Sequence, residues 1–203
     1  MKDSREIAVT GGIASGKTSV CQILADEGYK IVDTDILTKE VTACGGRCYN
    51  SIVDMFGKDV VLSDGSLDRA CIRQLILKDA ALKKRLEEII HPVVLECVKD
   101  SISTLRSNGY TAPVFIEVPL LFEAGWDAFF PEILLVTAPV DARIRRLMTY
   151  RGLSEEEAGL LIKSQMDEQE KIRKATWVIH NPGDKTTLRK KVLEFISQLS
   201  ESE

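Results

Sequence analysis

Residues 11–18 have the types and spacing best suited to chemistry. They read Gly-Gly-Ile-Ala-Ser-Gly-Lys-Thr and fit the pattern G-x4-G-K-(S/T). A glycine-rich turn of this kind directs backbone N–H groups at phosphate oxygens, and the positive end of the following helix adds to their field. Lys17 would reach the β- and γ-phosphates, and the Thr18 hydroxyl would ligate Mg²⁺. The pattern predicts a nucleoside triphosphate site, with Lys17 also catalytic. The residues expected to bind nucleotide are Gly12, Ala14, Ser15, Gly16, Lys17, Thr18 and Ser19.

A second candidate is the acidic pair Asp33 and Asp35, which follows the strand candidate 29–32. In parallel sheets, ligands bind outside the carboxyl ends of strands, so both acids should face the substrate of the phosphate loop. One carboxylate could accept a proton from the hydroxyl that receives the phosphoryl group, or could hold metal-bound water. The alternative is a cap on the helix expected from Ile36. Asp35 is adjacent to that helix, so the pattern favours Asp35 as the cap and Asp33 as the catalytic base.

The elements that must position these residues alternate between short apolar runs and helical patterns. The predicted strands are 6–10, 29–32, 113–118, 132–137 and 177–180, and the predicted helices include 17–27, 36–42, 49–56, 68–77, 79–105, a helix ending at 163, and 185–199. Apolar runs without alternation are typical of parallel strands covered on both faces. The expected fold class is α/β, a three-layer core with a parallel five-stranded sheet.

Two long stretches between strands predict insertions into this core. The first, 35–109, is strongly helical and too long for a simple crossover, with a turn expected at Asp64-Gly65. The second, 141–175, is rich in charge, and Ser154 with Glu157 predicts a capping-box helix start. We therefore expect a core of 1–34, 110–140 and 176–203, a helical insert of 35–109 and a lid of 141–175.

Composition excludes several classes of protein. The 203 residues carry a net charge of −4, which gives no global basic footprint for nucleic acid. Charged residues occupy the start of the chain, where a signal peptide would be apolar, and no run resembles a membrane span. The 5 cysteines include no C-x-x-C pair, so no zinc site is expected. A cytoplasmic location without membrane partners is the expectation, and nothing in the sequence specifies an oligomeric state.

The acceptor of the phosphate is open between water and a small-molecule hydroxyl. A GTPase would carry an N-K-x-D guanine motif, and none occurs. A motor ATPase usually has a strand ending in adjacent acids, whereas Glu117 is followed by Val118 and Pro119. These absences favour a small-molecule kinase.

With these motifs in place, the sequence resembles the dephospho-CoA kinase family over nearly its whole length. The resemblance rests on six segments in family order, and these are T-G-G-I-x-S-G-K-(S/T) at 10–18, D-x-D at 33–35, F-G with D-G-x-L-D-R at 56–57 and 64–69, L-E-x-I-x-H-P at 86–92, P-L-L-F-E at 119–123, and lid motifs within 146–166 followed by Asn181.

The resemblance implies transfer of the γ-phosphoryl group of ATP to the ribose 3′-hydroxyl of dephospho-CoA, with Asp33 as the base. It implies that Arg69 and His91 lie near or support the dephospho-CoA lobe, although His91-Pro92 fits a packed helix kink equally well. It also implies that residues 119–123 border the acceptor cleft. Arg146 resembles a lid arginine that closes over the ATP phosphates.

The sequence departs from the family pattern at several lid and insert positions. Where arginine is usual, the chain has Lys39, Tyr150 and Leu161, and His180 and Cys44 replace a common aspartate and proline. These changes put lid contacts to ATP in doubt and leave Lys17, Thr18 and Asp33 untouched. Two alternatives stay open, a kinase acting on nucleosides or nucleotides and a non-catalytic nucleotide-binding module.

Overall fold

The computed structural model describes residues 5–201, which build an α/β fold around a five-stranded sheet. The strand order is β2-β3-β1-β4-β5, and the strands are β1 (Glu6–Gly11), β2 (Lys30–Asp33), β3 (Val114–Glu117), β4 (Glu132–Thr137) and β5 (Trp177–His180). The central strand β1 pairs in parallel with β3 and β4, and β4 pairs in parallel with β5. The predicted parallel five-stranded, three-layer core is confirmed.

The helices are α1 (Lys17–Asp26), α2 (Thr34–Val41), α3 (Tyr49–Phe56), α4 (Arg69–Lys78), α5 (Ala80–Ser107), α6 (Val140–Arg151), α7 (Glu155–Lys163), α8 (Glu168–Lys174) and α9 (Lys185–Glu201), with short 3-10 turns at Lys58–Val60 and Trp126–Phe129. The capping box at Ser154 and Glu157 is confirmed at the start of α7. The turn at Asp64-Gly65 is confirmed as well, because an antiparallel bridge joins Val61 to Leu67 across it. Helices α6 and α8 were not expected from the sequence.

The chain divides into two compact units, the described parts of Met1–Val32 and Thr111–Glu203 forming one and Asp33–Tyr110 the other. The predicted insert 35–109 lies within the second unit, and its role as a separate lobe stays a prediction. The predicted lid, 141–175, belongs to the first unit and is not separated as a unit of its own.

The core of the first unit fixes the sheet whose carboxyl edge carries the phosphate loop. Its side chains come from the strands, α1 and α9, and the buried ones are Ile7, Val9, Val20, Cys21, Leu24, Phe115, Leu134, Val136, Ile179, Leu188, Val192, Phe195 and Leu199. Phe195 of α9 meets Phe115 and Trp177 edge to face. Burial of this apolar set anchors both strands that flank β1, so the end of β1 is held rigidly.

The second unit is built on the long helix α5, which packs against α2, α3 and α4. Val94, Val98 and Ile102 of α5 are buried, as are Ile52 of α3 and Ile72 of α4. The helix runs without interruption through Pro92, which cannot donate a backbone hydrogen bond. None of the described helices is long and apolar enough to span a membrane.

Candidate active site

The phosphate loop joins β1 to α1 and turns at Gly16. Gly16 has φ 96, a left-handed conformation that favours glycine, and it is the N-cap of α1 with no side chain capping the helix. A Cβ at this position would lie 2.1 Å from Asn181 Nδ2. The glycine therefore allows both the turn and the close approach of Asn181. The uncapped first turn of α1 leaves N–H groups for an anion.

The carbonyl groups of the loop are held from outside by side chains of later elements. Arg143 Nε donates to the Ile13 oxygen at 2.8 Å, and Arg146 Nη1 donates to the Ala14 oxygen at 2.8 Å. Asn181 Nδ2 donates to the Ser15 oxygen at 2.7 Å. In a planar trans peptide the N–H points opposite to the C=O. Fixing these carbonyls therefore directs the N–H groups of Ala14 and Gly16 to the other side, whereas the Ser15 N–H donates to the Gly12 oxygen at 3.0 Å.

The side chains of Lys17 and Thr18 converge on one carboxylate, that of Glu117. Glu117 ends β3 and is 7% exposed. Its Oε1 accepts from Lys17 Nζ and, at 3.1 Å, from Thr18 Oγ1. Glu117 is therefore a site residue that the sequence did not single out, because it stands alone at the end of β3 without the adjacent second acid that a motor ATPase usually has. The usable signal was a single acid closing an apolar strand that lies next to β1.

The structure corrects the expectation about the helix cap near Asp33. Helix α2 begins at Thr34 and not at Ile36, and Asp33 is its N-cap. The Asp33 Oδ1 atom accepts from the backbone N–H groups of Asp35 at 2.8 Å and Ile36 at 3.2 Å. Asp35 lies exposed in the first helical turn, so the prediction that it is the cap is wrong. The proposed role of Asp33 as base stays a prediction.

Both residues expected to support the dephospho-CoA lobe, Arg69 and His91, lie in the second unit. Arg69 is exposed, and its Nη2 donates to Thr42 Oγ1 at 2.8 Å. His91 is half-buried, and this burial lowers its pKa below the ordinary value, with a smaller opposing effect from the Glu87 carboxylate. The imidazole is therefore biased towards its neutral form.

A pocket of about 330 Å³ lies beside the phosphate loop within the first unit. Its lining includes Gly12, Arg143, Gln165, Glu168 and Lys171. A Cβ on Gly12 would lie 2.5 Å from Arg143 Nη2, so this glycine gives the arginine room to pass the loop. Arg143 is 4% exposed, and burial lowers its pKa while Glu168, 3.5 Å from its Nη1, opposes that effect.

The residues that differ from the family pattern lie at the surface. Tyr150 is 82% exposed and Leu161 is 39% exposed, and Lys39 is also exposed. His180 Nδ1 shares a hydrogen bond with Thr137 Oγ1 at 2.6 Å. The side chains that hydrogen-bond to the backbone of the phosphate loop, those of Arg143, Arg146, Gln165 and Asn181, are not among these differing residues.

The chain is similar to known proteins both in sequence and in structure. The model of the dephospho-CoA kinase family matches residues 5–187. A dephospho-CoA kinase of Moorella thermoacetica is 42% identical over 186 residues, covering 92% of this chain and 88% of the relative. A crystal structure of a Thermus thermophilus protein has a TM-score of 0.84 at 34% identity and covers 97% of both chains. The structure of a dephospho-CoA kinase from Campylobacter jejuni has a TM-score of 0.72 at 24% identity, with 97% of this chain and 98% of that chain covered, and shares the fold.

Proposed function

The chain belongs to the dephospho-CoA kinase family, and on that premise we propose how its residues carry out the family's reaction. The reaction is the ATP-dependent phosphorylation of the ribose 3′-hydroxyl of dephospho-CoA, the final step of coenzyme A biosynthesis. Membership of this family decides against the alternatives of another nucleotide kinase and of a non-catalytic module. The assignment of residues to steps is our proposal.

The observation that carries the proposal is the convergence of the phosphate loop, Lys17, Thr18 and Glu117. The loop presents N–H groups at the uncapped start of α1, and Lys17 adds a cation beside them. When a triphosphate binds, Lys17 exchanges its ion pair with Glu117 for a contact with a phosphate oxygen. Positioning and charge stabilisation supply most of the catalysis in phosphoryl transfer. The remaining proposed nucleotide contacts are Gly12, Ala14, Ser15, Gly16, Ser19 and Arg146.

The donor set fits a magnesium ion. Thr18 Oγ1 and Glu117 Oε1 lie 3.1 Å apart, and hydroxyl and carboxylate oxygens are ligands that Mg²⁺ prefers. Thr18 would ligate the ion, and Glu117 would hold its water. When bound, the ion neutralises charge on the β- and γ-phosphates.

Asp33 is the proposed general base. Both capping bonds go to Oδ1, which leaves Oδ2 to take the proton of the 3′-hydroxyl. The cap also fixes the carboxylate in one orientation at the end of β2, because two backbone N–H groups hold it. A base that is already oriented loses little entropy when the acceptor binds.

Further proposals concern the remainder of the chain. The helical insert of 35–109, with Arg69 and His91, supports the dephospho-CoA lobe, and residues 119–123 border the acceptor cleft. Residues 141–175 form a lid, and the reaction takes place in the cytoplasm. Family motifs support the assignments of the insert, of residues 119–123 and of the lid.

Replacement of Lys17 tests the proposed binding of the triphosphate by the phosphate loop and Lys17. Lys17→Ala should abolish conversion of dephospho-CoA to CoA, because the triphosphate loses its only cationic partner within the loop itself. The matched control is Lys190→Ala on α9, whose side chain is 78% exposed. Turnover of Lys17→Ala at the level of this control would overturn the assignment. The readout is CoA formed from dephospho-CoA, ATP and Mg²⁺.

Asp33→Asn tests the base while keeping the cap. Asparagine caps helices about as well as aspartate, so α2 should remain intact. The loss of the proton acceptor should lower kcat by about 10²- to 10⁴-fold and leave ATP affinity nearly unchanged. Asp35→Asn, on the exposed first turn, is the control. A larger loss for Asp35→Asn than for Asp33→Asn would reverse the assignment.

A further inference from the structure

The junction between α7 and α8 carries a side chain that reaches the phosphate loop. Gln165 Oε1 accepts from the Ile13 backbone N–H at 2.8 Å and from Arg143 Nη2 at 3.1 Å. Arg143 in turn donates through Nε to the Ile13 oxygen at 2.8 Å. The two side chains therefore hold both polar groups of one loop residue and also bond to each other.

The residue after Gln165 is tied to a different part of the first unit. The Met166 N–H donates to Glu123 Oε1 at 3.2 Å, and the same oxygen accepts from Lys171 Nζ at 2.6 Å. Lys171 is 3% exposed, so this ion pair is shielded from water on the lysine side. Glu123 belongs to the segment that follows β3. Consecutive residues of the α7–α8 junction thus contact that segment and the phosphate loop, which restricts where Gln165 can lie.

Ala14, which follows Ile13 in the loop, has a strained backbone that these hydrogen bonds help to hold in place. Ala14 has φ 58, a left-handed conformation that L-residues other than glycine adopt at a cost of roughly 1–2 kcal/mol. Strained backbone persists only where surrounding contacts determine it. The Ile13 peptide groups are fixed by Gln165 and Arg143, and the Ala14 oxygen is fixed by Arg146.

We propose that Gln165 is a positioning residue for ATP, holding the Ile13 peptide so that the Ala14 N–H faces the phosphates. The inference rests on the proposed binding of ATP by the loop. A glutamine suits this place because its amide oxygen accepts two hydrogen bonds without adding negative charge beside a polyphosphate. Gln165 acts on the loop and takes no part in the proton or phosphoryl transfer.

Gln165→Met tests the proposal, because methionine has a similar length and lacks the oxygen acceptor. Loss of the acceptor frees the Ile13 N–H and loosens the loop, so KM for ATP should rise about tenfold. KM for dephospho-CoA should stay within about twofold. A merely structural loss would lower the active fraction, and hence kcat, without this split. Gln169→Met, the same substitution at an exposed position of α8, should leave both values at the parent level.

Hydrogen exchange supplies a readout that does not depend on activity. In Gln165→Met the Ile13 amide should exchange faster, while the buried amide of Ala8 in β1 keeps its parent rate. Gln165→Glu retains the acceptor atom, so it should restore the protection of Ile13. Its added charge should nevertheless keep KM for ATP high.

The proposal is overturned if Gln165→Met leaves KM for ATP and Ile13 exchange at parent values, or if both KM values rise equally. Failure of Gln165→Glu to restore Ile13 protection would also overturn it. These outcomes are separate from failure of the proposed function, which Lys17→Ala tests through the loss of all turnover. A parent-like Gln165→Met beside an inactive Lys17→Ala would therefore reject the positioning role alone.

Discussion

Replacing Glu117 by glutamine separates the charge of this residue from its hydrogen bonding. The side chains of Lys17 and Glu117 are 12% and 9% exposed, so the ion pair is largely shielded from water. Removing one partner of a buried pair costs about 3–5 kcal/mol. Glutamine still offers an oxygen to Thr18, so the lower end, about 3 kcal/mol, is expected. For a chain of 203 residues, that loss lowers Tm by about 6–12 °C.

Whereas Glu117→Gln should lower the stability of the protein, it should raise the affinity for nucleotide. In Glu117→Gln a phosphate no longer competes with a carboxylate for Lys17, so the affinity for ADP without divalent metal should rise about tenfold. CoA formation should fall, because the carboxylate proposed to hold metal-bound water is absent. Thermal unfolding with and without ADP, ADP titration in EDTA, and CoA formation are the measurements.

Glu132→Gln is the matched control for Glu117→Gln. Glu132 begins β4 and pairs with Arg5 at 2.5 Å, with side chains 20% and 17% exposed. Its replacement should lower Tm while leaving ADP affinity unchanged, because it lies at the other end of the strands from the phosphate loop. A parent-like Tm for Glu117→Gln together with unchanged or weaker ADP binding would refute the reasoning about the Lys17 pair.

Three other substitutions test separate features. Gly16→Ala places a Cβ where φ is 96 and Asn181 Nδ2 is 2.1 Å away, so CoA formation should fall about a hundredfold, and normal activity would contradict the tight approach. Asn181→Ala leaves the Ser15 oxygen without its 2.7 Å bond, so the free energy of unfolding should fall by about 2 kcal/mol in urea titrations. Burial lowers the pKa of His91, so the unfolded chain binds its proton first as the pH falls. Stability from neutral His91 is complete above the ordinary pKa of 6.5 and is lost below it, so His91→Gln should flatten the decline in Tm between pH 7 and 5; an equally steep decline would exclude this cause.

Much of the fold followed from apolar runs with clear boundaries. The run at Glu132–Thr137 lies between Pro131 and Ala138-Pro139, and the strand has the predicted limits. Helix α8 was not expected, because Glu168–Lys174 is mostly charged and has no apolar stripe. Its start depends on the Asp167 cap, and Lys171 buries itself against Glu123. Such contacts belong to the tertiary structure and leave no periodic pattern.

The candidate site was only partly predictable for a similar reason. The loop motif identified Lys17 and Thr18, because their roles depend on local spacing. Asp33 and Asp35 lie two positions apart, and either can cap a helix that starts nearby, so the cap was assigned to the wrong one. Glu117 and Gln165 meet the loop across 100 and 152 residues of sequence, respectively. Only the folded sheet and the packed α7–α8 junction bring them to the loop.

The ion pair between Lys17 and Glu117 affects which solutes can bind at the phosphate loop. A small free anion such as inorganic phosphate must separate lysine from Glu117, and it leaves that carboxylate facing another negative charge. A nucleotide bound together with a divalent cation would offer a phosphate oxygen to Lys17 and a cation to Glu117. We therefore expect the enzyme to bind simple anions such as phosphate weakly at this loop and to bind a nucleotide together with its divalent cation more tightly.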